Sequence, residues 1–263
     1  MNIIKFEIKR QWITLCLWTI LFIAVMLALF IGVYPLFRDS LKDIMNVISS
    51  MPQEFLKAFS VNLNTMADFS GFYEFSYAYL SLMGAIMSAS FGLAIFGREK
   101  KVKCTDFLFT KPCSRQNIFV NKYITGLILI VVFNIVYVAI SCFYGMKYDN
   151  SFGTMILASS MMFLTQLFFY HAAILVAIYL KKIRSVSNTA TLIGFAGFII
   201  VALNNILEID GLQYLSPLKY FDPIRFFGEV VTDWSVMIVG CVLLVLFIVM
   251  AFILYIKQDV KAV

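Results

Sequence analysis

Residues 75–145 decide the fold: FSYAYLSLMGAIMSASFGLAIFG (75–97), then REKKVKCTDFLFTKPCSRQNIFVNK (98–122), then YITGLILIVVFNIVYVAISCFYG (123–145). Two charge-free apolar runs flank a loop of 25 residues that carries seven lysines and arginines. A bilayer core of ~30 Å needs ~20 apolar residues in helix, because every backbone polar group must find its partner inside the segment. Each flanking run meets that length. A water-soluble fold would leave such runs uncovered, so the pair is a membrane hairpin with a basic loop.

The same test applied outward finds four more charge-free runs, at about 14–36, 153–180, 188–207 and 235–256. Composition agrees: 62% of the 263 residues are hydrophobic and 14% are charged. A soluble domain carries roughly 25% charged residues. The expected fold is therefore all-α and integral to the membrane, a single transmembrane domain over 1–263 with six transmembrane helices. Lys5, Lys9 and Arg10 ahead of the first run give it the look of a signal peptide. The run is too long and lacks a small-residue cleavage site, so it is expected to stay as an anchor. The five cysteines (Cys16, Cys104, Cys113, Cys142, Cys241) form no CxxC and are expected to be reduced.

Charge placement sets the orientation. The N-terminus, 98–122, 181–187 and the C-terminal tail together hold fifteen of the 21 basic residues and four of the 15 acids. The remaining connections, 37–74, 146–152 and 208–234, hold six basic and eleven acidic residues. Basic loops stay cytoplasmic, so both termini are expected inside the cell membrane. The net charge of +6 is thereby a topology signal and not a nucleic-acid footprint. Two outer loops are expected to have structure of their own. Residues 38–60 place Leu41, Ile44, Met45, Ile48, Met51, Phe55 and Phe59 at helical spacing, which makes a short amphipathic helix. Residues 211–233, rich in aromatics and with Pro217 and Pro223, either dip back into the membrane or lie on its surface.

The spans carry no Asp, Glu, Lys or Arg, which argues against an ion-coupled carrier. His171 is their one ionisable imidazole, read as a packing residue of unassigned role. One histidine supplies neither a metal site nor an acid–base pair. GLAIFGRE (92–99) has the glycine spacing of a phosphate-binding loop, but Arg98 and Glu99 stand where lysine and a hydroxyl are required, and no strand precedes it. The chain is thus expected not to be an enzyme, to hold no metal or cofactor, and to leave any ATP to a partner. Mild polar stripes remain. Tyr77, Ser81, Gly84, Ser88 and Gly92 recur along the second span; Asn134, Tyr137 and Ser141 along the third; Gln166 and Tyr170 along the fourth. Tyr144 continues the stripe on the third span and Ser159 that on the fourth. Such stripes either let helices pack closely or line a translocation path; Asn134, Tyr137, Ser141, Gln166 and Tyr170 are the candidates for the path.

The loop 98–122 is too short for a domain, yet it sets an apolar knob, Phe107-Leu108, among its cations. A groove on a soluble partner suits that arrangement better than free water. Here the chain resembles the permeases of type-two ABC transporters, the exporter-like class with six helices per subunit. The resemblance rests on Glu99, Asp106-Phe107-Leu108, Thr110, Pro112, Ser114-Arg115 and Lys122 between the second and third spans. Lys103-Cys104 departs from the Gly-Thr pair common in that family. The resemblance implies an exporter permease coupled to a separate ATP-binding cassette subunit through Glu99, Asp106, Phe107, Leu108, Pro112 and Arg115. It leaves the substrate open; the thirteen methionines and 27 phenylalanines suit an amphipathic or hydrophobic one and suit lipid-facing packing equally. It also implies a second permease, identical or not, and a partly re-entrant outer segment around YLSPLKYFDP (214–223). The alternative is a membrane scaffold or sensor that recruits a cytoplasmic partner without transport.

Overall fold

The computed structural model describes residues 3–39, 51–59, 65–66, 68–98, 114–180, 183–209, 211–227 and 234–257. Among them the chain is all-helical, and six helices are long and apolar enough to cross a membrane. In chain order these are α1 (Ile3–Asp39), α3 (Phe69–Phe96), α4 (Arg115–Lys147), α5 (Phe152–Tyr179), α6 (Val186–Leu207) and α7 (Trp234–Lys257). The short α2 (Gln53–Ala58) precedes α3. Three 3-10 turns, Leu212–Leu215, Pro217–Lys219 and Pro223–Phe226, join α6 to α7.

All six runs read from the sequence are helices, and several extend past the charge-free limits. α4 starts at Arg115 because Ser114 caps it, its side chain accepting from Asn117 N. α5 and α6 start the same way at Ser151 and Ser185. A serine cap satisfies one of the four donors that a helix N-terminus leaves open. α1 begins at Ile3 and runs on through Pro35, with a wider turn over Ala28–Val33. Proline has no N–H to give and its ring crowds the carbonyl one turn back. Loosening the preceding turn is a known way to absorb that fault.

α3 and α5 form the centre, packed more extensively on each other than any other pair, with α1, α6 and α7 at the periphery. The stripe of small residues on α3 explains the close approach. A Cβ added at Gly92 would lie 2.9 Å from the backbone oxygen of Tyr170, and one at Gly84 would lie 2.8 Å from Met162 Sδ. The Ser81 and Ser88 hydroxyls are turned back onto their own helix, to Ala78 O and Ala85 O. Aromatic rings fill one end of the bundle, where Phe30, Tyr34, Phe69, Tyr73 and Tyr148 meet edge-on, tilted or stacked.

At that end lie the segments 51–59 and 211–227. Of the amphipathic stretch expected over 38–60, α2 is present, with Phe55 and Phe59 in ring contact at 4.7 Å; Leu41, Ile44, Met45 and Ile48 lie outside the described residues. α2 is pinned to the end of α6 by Lys57 and Glu208, 2.6 Å apart. The segment 211–227 is no plain surface loop: Ser216, Tyr220 and Phe221 are buried, and Phe221 O accepts from the Tyr77 hydroxyl of α3 at 3.0 Å.

Candidate functional site

The basic loop grows from two roots, the end of α3 and the start of α4. α3 stops at Gly97, whose N–H still reaches Leu93 O and whose Cα faces the buried Ile183. At the next residue, Arg98, the guanidinium lies 3.5 Å from Glu7 Oε1 and over the ring of Phe6 at 5.1 Å. Glu7 is 3% exposed, so this is a buried contact that fastens the first turns of α1 to the base of the loop. On the other root Lys122 is 1% exposed. Its Nζ donates to Ile95 O at 3.0 Å and sits 5.6 Å from the Phe96 ring. A cation at the last carbonyls of a helix meets both an open acceptor and the negative end of the helix dipole. Arg115 does the same for α7, its Nη1 donating to Ile256 O at 3.0 Å. Three cations of the loop therefore bind it to α1, α3 and α7.

Of the six residues assigned to a partner contact, Arg115 is placed, and the Nη1 described here is engaged with its own chain. Glu99, Asp106, Phe107, Leu108 and Pro112 lie outside the described residues. Glu7 and Lys122 had no role assigned from their positions in the loops. One signal for Glu7 was available: with Gln11, Leu15, Phe22 and Met26 it continues the buried stripe of α1 backwards past the charge-free limit.

Four of the five candidates for a path fall into two groups inside the bundle. Tyr137 and Ser141 gather on Tyr73, whose hydroxyl is 3.0 Å from that of Tyr137 and 3.5 Å from Ser141 Oγ. Asn134 Nδ2 donates to Gln166 Oε1 at 2.5 Å and to Ile130 O at 2.8 Å. Asn134 Oδ1 and Gln166 Nε2 are buried without a hydrogen-bond partner among the described residues. Tyr170 stands apart, its hydroxyl donating to Tyr123 O. All five side chains are buried between α3, α4 and α5; Asn134 also touches a surface groove, the apolar cleft of about 770 Å³ between α4 and α5.

His171 links three helices. Its Nδ1 is 3.1 Å from Leu244 O, and a carbonyl only accepts, so Nδ1 carries the proton. Nε2 then accepts from the Tyr123 hydroxyl at 2.9 Å. The ring is a neutral bridge between α4, α5 and α7. In the segment 211–227, Asp222 caps the last 3-10 turn by accepting from Ile224 N, and burial pushes its carboxyl above the usual range. Burial likewise pulls the Lys219 ammonium down.

No curated protein matches the chain individually. A family model described as ABC-2 family transporter protein matches residues 1–260. That match runs the length of all six helices and takes in the loop with its fastened roots, so the chain is a multi-pass membrane permease and belongs to the ABC-2 transporter family, whose membrane proteins generally work with a separate ATP-binding subunit.

Proposed function

We propose that the chain is the permease subunit of an ATP-driven exporter, with both termini in the cytoplasm and loop 98–122 as the seat of the ATPase subunit. The observation that carries this is the tethering of the loop roots. A force applied to the loop would reach α1 through Arg98–Glu7, α3 through Lys122–Ile95 and α7 through Arg115–Ile256. A loop hung on flexible roots would absorb the same force. The bundle itself holds no triphosphate-binding loop, which fits an energy source on another subunit.

On this reading two permeases assemble around the path, and the substrate is amphipathic or hydrophobic. The seam of Asn134, Tyr137, Ser141, Gln166 and Tyr170 would meet that substrate only when α3, α4 and α5 part. In the closed bundle it works as a hydrogen-bonded clasp. The loop's apolar knob, Phe107 and Leu108, is the anchor in the partner's groove. Truncating a central apolar anchor typically costs about 2 kcal/mol or more, whereas rim charges matter less. Phe107→Ala with Leu108→Ala should therefore release the ATPase subunit on purification, while the permease still inserts at wild-type level. Co-purification in wild-type amount, with transport-coupled hydrolysis intact, would overturn the docking role.

A further inference from the structure

We propose that the first three turns of α1 form a binding site for the anionic headgroups of phospholipids. Ile4, Lys5, Ile8, Lys9 and Trp12 line a shallow groove of about 450 Å³ on the outer face of that helix. Lys5 and Lys9 are exposed and stand one turn apart. Neither makes an ion pair or hydrogen bond with any described residue. The one carboxylate in these turns, Glu7, is buried on the opposite side against Arg98. The groove is thus a patch of positive charge without its own counter-ion among the described residues.

Its position selects the occupant. Directly beyond Trp12 the same helix begins its lipid-facing stripe, with Ile13, Leu17 and Ile20 each more than 60% exposed. Lys5 and Lys9 therefore sit where the apolar surface ends, at headgroup level, and Trp12, 53% exposed, lies between them and the stripe. Tryptophan favours that boundary, and lysine stems run along apolar surface while the ammonium reaches out to phosphate. A soluble acidic protein would meet the two lysines but not the exposed stripe that continues from them. A phospholipid with net negative charge matches both parts. Each lysine near such a surface contributes about 1 kcal/mol, which is about fivefold in occupancy. The same turns hold Arg98, so the site lies on the helix that secures the cytoplasmic loop.

The site rests on the cytoplasmic placement of α1 for its access to the anionic leaflet, and a symmetric bilayer separates the two questions. The full chain is reconstituted into phosphatidylcholine bilayers containing either brominated phosphatidylglycerol or brominated phosphatidylcholine at the same mole fraction. Trp18→Phe and Trp234→Phe leave Trp12 as the fluorescent reporter, and a second chain with only Trp234 serves as the control. Quenching of Trp12 should favour the glycerol lipid several-fold, the preference should fall with Lys5→Gln and further with Lys9→Gln, and Trp234 should show none. Raised salt should erase the preference without any substitution, because exposed charges are screened. Equal quenching of Trp12 by the two lipids, or a preference that survives both substitutions, would overturn the site. So would protection of Trp12 from both lipids, which would mean that protein covers the groove. Failure here leaves the orientation untouched, since the bilayer offers both lipids on both faces.

Discussion

Lys122 shows how one residue turns a membrane helix end into a fixed point. Its ammonium is buried, which costs solvation, yet it satisfies Ile95 O and lies over Phe96. Lys122→Met keeps most of the side chain's volume and removes the donor, leaving a buried carbonyl unsatisfied. The expected loss is about 1 kcal/mol, since relief of the lysine's own burial offsets part of the penalty. Thermal melting of the purified permease should drop by a few degrees, and ATP hydrolysis in the assembled complex should respond less to substrate. An unchanged melting point together with normal coupling would show that the contact is incidental. In the sequence Lys122 was visible as one of seven cations in a basic loop and as the last residue of the pattern that carries the resemblance, with no contact of its own assigned. Its partner lies 27 residues away on another helix, so no local pattern could single it out. The same holds for Arg115, where the resemblance suggested a partner contact and the structure engages it with the end of α7. Asn134 and Gln166 were legible as polar residues in apolar runs, but their pairing with each other was not.

Elements were far easier to read, because lipid imposes one solution on any long apolar run. The six spans follow from hydrophobicity alone. Their ends do not: the Ser114 cap starts α4 back at Arg115, past the charge-free limit, whereas the Ser151 and Ser185 caps start α5 and α6 just after Asp149 and Arg184. The segment 211–227 was ambiguous for a physical reason: aromatics and prolines suit both a loop on the membrane surface and one that dips into it, and the structure adds that it packs on α3 through Tyr77. A close-packing face on α3 was legible as a stripe of small residues, one of two readings of it, but not that α5 is its partner; the structure supplies the partner and grades the members of the stripe. At Gly84 an added methyl meets the ends of two side chains with rotatable bonds, Met162 and Gln166; at Gly92 it meets the Tyr170 carbonyl and Ala173 Cβ, which have none to turn. Alanine gains about 1 kcal/mol over glycine in helix propensity, and overpacking costs roughly 1–3 kcal/mol. Gly84→Ala should therefore be close to neutral in thermal stability and Gly92→Ala clearly destabilising. Equal effects of the two substitutions would argue that α3 and α5 do not pack as described.

At the scale of the whole molecule, orientation connects every functional claim, and it rests on charge. Fifteen of the 21 lysines and arginines fall on one set of connections, which also holds only four of the 15 acids. Reversing the chain would place the seven cations of loop 98–122 outside, where no ATPase subunit could reach them. The positive-inside bias counts short loops near span ends, and all the basic connections here are short. Single cysteines in a chain freed of its five native ones test this directly. Glu54 is exposed on α2, and Asn150 sits in the turn between α4 and α5, so a cysteine at either should react with a membrane-impermeant thiol reagent applied to intact cells. Arg184 is the matching probe on the other side. It is exposed, unlike its neighbour Ile183, so an unreactive cysteine there reports the membrane and not burial. Arg184→Cys should label only after the membrane is permeabilised. Labelling of position 184 in intact cells, with 54 and 150 protected, would invert the topology. The loop would then face away from any cytoplasmic ATPase, and the exporter assignment would fall with it.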